Sequence, residues 1–281
     1  MAYRLIAFDM DGTMLDEKKE LPEKNMQAIK AAAEKGCFIV PATGRMVGGM
    51  PKEIRELPFV RYYITMNGAL VWDEQEKKSI YSSEMDCEEV LRLFRYLDDL
   101  PVGYDCYHKG QGYISEEMFS QIEQYFEKIP RMINYVKSIR TKVPELKAAI
   151  EAWNEPIQKI QIYFRAADEN LRQELLEKLP GLFPEMVFTT SLANNIEVNS
   201  RGAGKDKGLE ALCAHLGLDM AESVAFGDGS NDCGLLRAAG LGVCMANGCE
   251  QAKAAADMIT VSNDEAGVGF VIEELISAAK I

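Results

Sequence analysis

The chain has 281 residues, enough to bury a large core and to form two domains. Hydrophobic residues make up 47% of it and charged residues 27%, the proportions of an ordinary soluble globular protein. Its 44 acidic and 31 basic residues give a formal net charge of −13, so its surface repels phosphodiester backbones and nucleic acid is not an expected partner.

The first element in the chain is the apolar run Leu5-Ile6-Ala7-Phe8, which predicts a strand buried on both faces of a sheet. It leads into Asp9-Met10-Asp11-Gly12-Thr13. If the extended conformation persists through Asp11, both acids share one face and Met10 takes the other. Two anions that close repel unless a cation lies between them. Gly12 permits a tight turn and lets a ligand approach its N–H. Alone, the stretch reads equally well as a strand ending in an Asp/Gly turn.

Pro22 to Lys35 predicts a helix, with Met26, Ile29 and Ala33 on one stripe and Gly36 as cap. Cys37 to Val40 predicts a second buried strand, ending at Pro41-Ala42-Thr43-Gly44-Arg45, and Tyr62 to Met66 a third, ending at Asn67-Gly68-Ala69. This alternation is the rhythm of a parallel α/β sheet, in which ligands gather beyond the carboxyl ends of the strands.

From about Ser83 the pattern changes. Glu88–Leu97 predicts an amphipathic helix, and Tyr104 to Ile114 a hairpin turning around Lys109-Gly110-Gln111-Gly112. Further helices are expected over 117–129, 146–153 and 169–179, with a half-exposed strand of alternating pattern over Ile157–Phe164. This mixture reads as a separate α+β unit inserted into the first, spanning 83–189 and leaving 1–82 and 190–281 as the two parts of the core.

The α/β rhythm is expected to resume at Asn195-Ile196-Glu197-Val198. A helix then opens at Gly202-Ala203-Gly204-Lys205-Asp206, and the strand Val224–Phe226 runs into Gly227-Asp228-Gly229-Ser230-Asn231-Asp232. Short strands at 241–243 and 258–260 and a helix over 268–279 complete the chain. The predicted fold class is α/β, a Rossmann-like doubly wound parallel sheet with an inserted α+β domain.

Seven singly scattered cysteines without a C-x-x-C pair predict reduced thiols in a cytosolic protein. His108 and His215 are too far apart in sequence to suggest a histidine-rich zinc site. No run reaches the ~18 apolar residues of a membrane span. The short apolar run after Arg4 does not suggest a signal peptide.

Asp228 and Asp232 form a second acidic pair just beyond an apolar strand. With Asp9 and Asp11 they supply hard oxygen ligands, which suit Mg²⁺ rather than a soft metal. An EF-hand loop starting at Asp228 fails, because Cys233 stands where glycine is required. Lys205, at a predicted helix start, is well placed to hold a phosphate by its charge and the helical N–H groups. Asp206 after it rules out a Walker A loop, and Asp232 occupies the third-glycine position of a dinucleotide fingerprint. Taken singly, Lys205 reads as a solvated surface lysine and Thr43-Gly44 as an ordinary turn. Taken together, these residues furnish a carboxylate to attack phosphorus, a second acid for proton transfer, a metal-binding set, and a hydroxyl and lysine for the phosphoryl oxygens.

Asp9-Met10-Asp11-Gly12-Thr13, Thr43-Gly44-Arg45, Lys205 and Gly227-Asp228-Gly229-Ser230-Asn231-Asp232 resemble, in order, the four motifs of the haloacid dehalogenase (HAD) superfamily phosphatases. Asn67-Gly68-Ala69 and Ser262-Asn263-Asp264-Glu265 are similar to its Cof-type subfamily. The resemblance covers about residues 3–82 and 190–281. It implies that Asp9 is the nucleophile and also a Mg²⁺ ligand, and that Asp11 is the general acid/base and binds the metal through its carbonyl. It further implies that Thr43, Gly44 and Lys205 hold the phosphoryl group, that Asn231 contacts it or orients Lys205, and that Asp228 ligates the metal directly while Asp232 acts on it through water or at the edge of its shell. Asp206 departs from the glycine that usually follows the motif lysine, and Met245-Ala246-Asn247-Gly248 from the usual Met-Gly-Asn-Ala. The inserted unit is implied to be a cap that carries substrate selectivity. Tyr107, His108, Lys109 and Tyr113 are its candidates for substrate contact, against the plainer reading of exposed hairpin residues.

The sequence therefore leads to an expectation of a cytoplasmic, Mg²⁺-dependent phosphatase for small phosphorylated metabolites, sugar phosphates first, acting through an aspartyl phosphate. The alternatives are a phosphomutase or phosphotransferase, and a non-catalytic phosphometabolite-binding protein. Neither nucleic acid nor membrane is an expected partner, and the sequence does not fix the oligomeric state.

Overall fold

The structure, a computed structural model, describes residues 2–281, apart from the side chain of Arg131. They form two compact units, one from residues 2–82 and 204–281, the other Ser83–Ala203.

The first unit is built on five parallel strands, in the order Met258–Ile259, Leu241–Cys244, Ser223–Gly227, Leu5–Phe8, Phe38–Pro41. The apolar run at 5–8 takes the interior because both its faces are covered. Ile6 and Phe8 join a core with Ile29 and Ala32 of the helix Glu23–Glu34 and Val268, Val271 and Ile272 of the helix Gly267–Ser277. Leu5 and Ala7 face Leu209 and Leu212 of the helix Lys205–Leu216 and Leu235 of the helix Cys233–Ala238. Each of the three large side chains in this strand stabilises the fold by roughly 1.5–3 kcal/mol on burial. The chain runs from Leu5–Phe8 to Phe38–Pro41 on one side, and Ser223–Gly227 lies on the other, so the strand order reverses between Leu5–Phe8 and Ser223–Gly227. In a doubly wound sheet that crevice, beyond the carboxyl ends of the strands, is where ligands bind.

Tyr62–Thr65, read from the sequence as a third strand of this sheet, joins it only through the isolated parallel bridge Ala42↔Ile64. Its ladder is antiparallel, with Leu70–Asp73 and then Lys78–Ser82. Met66, Asn67 and Gly68 all have positive φ and reverse the chain too tightly for a crossover helix.

The second unit has a six-stranded sheet in the order Met186–Thr189, Asn195–Ser200, Lys159–Tyr163, Gly103–His108, Gln111–Ser115, Arg140–Val143. All its pairs are antiparallel except the last. Cys106, Ile160, Ile162, Ile196 and Val198 form one apolar face, packed with side chains of the helices Cys87–Leu97, Leu146–Trp153 and Glu169–Leu182. The hairpin at 103–115 turns on Lys109 and Gly110, both at positive φ, as a two-residue loop requires.

Three expectations need correction. Asn195–Ser200 does not return to the parallel sheet. It pairs antiparallel with Lys159–Tyr163 and Met186–Thr189, so the second unit runs to Ala203 rather than 189. The polar positions of Ile157–Phe164 are buried rather than half-exposed, because partners on the neighbouring strand satisfy them. Lys159 pairs with Glu197 at 2.9 Å, and Gln161 bonds Glu197 and Asn195. Tyr107 and His108 are likewise buried: Arg140 donates to the Tyr107 hydroxyl and His108 stacks on Trp153.

Candidate active site

The site is assembled from four loops of the first unit. Phe8 is level with Phe226 and Pro41 across the sheet, so Asp9 emerges at the same height as Gly227 and Ala42. The strand ends there, and the chain does not stay extended through Asp11. The N–H groups of Met14 and Leu15 bond back to the carbonyls of Asp9 and Met10, curling the segment over. Gly12 lies at φ +83°, and a Cβ on it would sit 2.5 Å from Asp228 Oδ2, so only glycine fits where the two motif loops meet. Beside it, the buried Thr13 hydroxyl donates to Asp228 Oδ1 at 2.7 Å.

Lys205 opens its helix with a fully buried side chain. Its Nζ donates to Asp9 Oδ1 at 2.7 Å and to Asp232 Oδ1 at 2.6 Å. The Asn67-Gly68 turn fits closely against this helix start: a Cβ on Gly68, at φ +87°, would lie 1.9 Å from the Gly204 carbonyl oxygen. The Asp206 carboxylate lies against Gly204 and Gly234. Asp232 also organises its own loop, its Oδ2 accepting from the N–H groups of Asp228 and Gly229. Among the described residues, one oxygen each of Asp9, Asp228 and Asp232 lie within 4.8 Å of one another. Three oxygen donors so close suit a hard divalent ion.

The expected residues do not all converge equally. Asp9, Asp228, Asp232 and Lys205 meet. Thr43 is buried at the end of the neighbouring strand segment, its Oγ1 accepting from the Arg45 N–H, with Gly44 between them. Asn231 donates to Asn67 Oδ1 at 3.3 Å. The Asp11 carboxylate lies outside the three-acid cluster, because the turn at Met10 and Gly12 directs it elsewhere. It takes two hydrogen bonds from Arg45, each 2.7 Å, and an ion pair with Lys19 at 2.9 Å. Thr13, Lys19 and Arg45 were not assigned roles from the sequence. Thr13 and Arg45 belong to the quoted motifs, whereas nothing in the sequence marks Lys19.

The electrostatics follow from this crowding. Burial, the largest influence, pushes the Asp9 carboxyl up to about 8, with Asp232 and Asp228 adding repulsion and Lys205 opposing. Burial likewise carries Asp228 up to about 6 despite the Thr13 hydroxyl. Burial works against the Lys205 charge, but Asp232 and Asp9 outweigh it and hold the ammonium above its ordinary range. For Asp11, Arg45 and Lys19 overcome burial and hold the carboxyl down at about 2. Asp9, Asp11, Asp228 and Asp232 thus face three cations, Lys19, Arg45 and Lys205. A divalent cation would turn a net charge of about −1 into about +1, relieving the repulsion that raises Asp9 and leaving the site attractive to an anion.

Known proteins resemble the chain over nearly its whole length. The family model for haloacid dehalogenase-like hydrolases matches residues 6–272. The chain is 29% identical to the 5-amino-6-(5-phospho-D-ribitylamino)uracil phosphatase YcsE of Bacillus subtilis, over 97% of this chain and 96% of that one. It is 26% identical to the phosphatase YwpJ of the same organism, over 97% and 100%. Among solved structures, a sugar phosphatase of HAD subclass IIB superposes with a TM-score of 0.80 and 26% identity, over 99% of this chain and 100% of the other. No helix among the described residues is long and apolar enough to cross a membrane. The chain belongs to the haloacid dehalogenase-like hydrolases and is an enzyme of their phosphatase branch.

Proposed function

We propose that the protein is a Mg²⁺-dependent phosphatase of small phosphorylated metabolites, sugar phosphates first among them, working through an aspartyl phosphate on Asp9. The observation that carries this reading is the meeting of the Asp9, Asp228 and Asp232 carboxylates with the buried Lys205 ammonium at the switch point of the sheet. Asp9 Oδ attacks phosphorus while the ester P–O bond breaks, and the departing oxygen takes its proton through Asp11, whose carboxylate first leaves the Arg45 and Lys19 contacts that hold it ionised and picks up a proton from solvent. Water then attacks the aspartyl phosphate, losing a proton to Asp11, and inorganic phosphate leaves with Asp9 restored. Thr43, Gly44, Asn231 and Lys205 hold the phosphoryl oxygens. Asp9, Asp228 and Asp232 would hold the Mg²⁺, with the Asp11 carbonyl as the further donor the resemblance implies. Bound there, the ion neutralises the phosphate and lets it approach the anionic nucleophile. The sugar-phosphate preference is supported by the subclass IIB relative. The inserted unit carries the selectivity.

A panel of sugar phosphates and other phosphorylated metabolites, assayed for released phosphate with Mg²⁺ and with chelator, tests the reading. Turnover on at least one member, lost with chelator and absent from Asp9→Asn, is expected. Hydrolysis that survives in Asp9→Asn would overturn the nucleophile assignment, and ester isomerisation without phosphate release would make the protein a mutase.

A further inference from the structure

We propose that Asn67 is a positioning residue for Asn231, turning its side-chain amide toward the phosphoryl group that Thr43 and Lys205 hold. The inference rests on the phosphatase reading above. Asn231 stands in the loop after Ser223–Gly227, and its Nδ2 donates to Asn67 Oδ1 at 3.3 Å. The bond is longer than the usual ~2.9 Å, as contacts in a catalytic site commonly are before the substrate tightens them. An amide nitrogen carries two hydrogens, so with one engaged by Asn67 the other is left for a phosphoryl oxygen. Among the described residues Lys205 Nζ bonds Asp9 and Asp232, and no hydrogen bond joins it to Asn231. The amide therefore does not serve to aim the ammonium.

Asn67 can aim its partner because it is itself fixed. It is buried and lies at φ 59°, ψ 31°, the left-handed region that asparagine tolerates and most residues avoid. Met66 before it has φ 53° and Gly68 after it φ 87°, so three successive residues have positive φ. Such a conformation persists only where the surroundings over-determine it, and it gathers at functional sites. The surroundings are the loops of the site. The Met66 N–H donates to the Arg45 carbonyl at 3.0 Å and the Asn67 N–H to the Thr43 carbonyl at 3.1 Å. Gly68 packs so close to the Gly204 carbonyl that a Cβ there would overlap it. One turn thus holds the backbone of the Thr43 loop, the start of the Lys205 helix and the Asn231 amide in a single frame.

A double-mutant cycle tests the coupling. Wild type, Asn67→Gly, Asn231→Ala and the double variant are compared by the Ki of inorganic phosphate against the ester that the wild type hydrolyses fastest, all with Mg²⁺. Mg²⁺ affinity by calorimetry and the thermal melt are read beside it. Glycine accepts a positive φ without strain, so Asn67→Gly removes the side chain and keeps the turn. Loss of one hydrogen bond to an anion predicts a Ki raised about tenfold in Asn231→Ala. Asn67→Gly is expected to raise it about fivefold through the same amide, with Mg²⁺ affinity within about twofold of wild type. The double variant should then stay near about tenfold, whereas independent contacts would multiply to about 50-fold. A multiplied loss, an unchanged Ki in either single variant, or a change confined to Mg²⁺ affinity would each overturn the proposal while leaving the phosphatase reading intact. So would an Asn67→Gly variant too unstable to assay, since Asn67 would then hold the fold rather than the amide. A wild type that neither hydrolyses an ester nor binds phosphate would overturn both.

Discussion

Both units bury charge, and they do so in opposite ways. In the second unit Arg140 pairs with Asp105 at 2.7 Å and Lys159 with Glu197 at 2.9 Å, two acids against two bases on one sheet face. Tyr163 donates to Asp105 Oδ2 and Gln161 to Glu197 Oε1, while Asp105 Oδ1 and Arg140 Nη1 find no hydrogen-bond partner among the described residues. In the first unit the buried Lys205 faces Asp9 and Asp232 together, with Asp228 completing a three-acid cluster. Balanced burial locks strands together, because the desolvation cost is offset only while each partner is present. Unbalanced burial leaves a deficit of positive charge, which an ion from solution can fill. The surplus acid, more than burial itself, distinguishes the candidate catalytic cluster from the structural one.

The largest effect that would break or sharpen this contrast is on turnover. On the proposed mechanism, Asp9→Asn should lower kcat by on the order of 10⁴-fold or more, since it would remove the nucleophile while Lys205 keeps an acceptor. Stability should move in opposite directions in the two units. Asp105→Asn strips the buried Arg140 of its counter-ion and should cost about 3 kcal/mol in urea unfolding. Asp9→Asn, measured without divalent ions at pH 8.5, should cost nothing or stabilise. A comparable loss from both variants would dissolve the distinction.

A smaller effect is expected at Thr13. Replacing it with valine keeps the volume but removes the hydrogen bond that aims Asp228, and should weaken Mg²⁺ binding by about tenfold in a titration followed by calorimetry. An unchanged affinity would mean that Asp228 is held without it.

The mildest test is the pH dependence of stability. Folded Asp9 holds its proton up to about 8, whereas an unfolded aspartate releases it near ~4. Between these values the folded state binds more protons, so its stability falls as pH rises. Mg²⁺ bound beside Asp9 would compensate its charge, so the stabilising shift in thermal melts should be several degrees larger at pH 8 than at pH 6. A shift that shrinks as pH rises would contradict the acid-surplus picture.

Most of the residues that meet in the candidate site were legible in the chain because they are written in local pattern. An apolar strand that ends in Asp, Gly or Thr announces both its burial and the polar turn at its tip, as at Phe8-Asp9 and Gly227-Asp228. The strand Asn195–Ser200 was not legible in the same way. Its residues suit a parallel interior as well as an antiparallel one, and only Ile162 and Val198, brought level with Ile196 and Ile160 across the ladder, decide between them. The Asp11–Arg45–Lys19 clamp was hidden for a related reason. Thirty-four residues separate Asp11 from Arg45, and no spacing rule says which carboxylate a guanidinium will reach.

The sequence by itself determined which side chains are available for chemistry and at which strand tips they stand, because strand burial and turn formation depend on near neighbours. Only the tertiary structure decided which of those side chains share one volume. Lys205 joins Asp9 and Asp232, Thr13 aims Asp228, and Asp11 turns to Arg45, since such pairings arise from loop closure and mutual desolvation across distant parts of the chain.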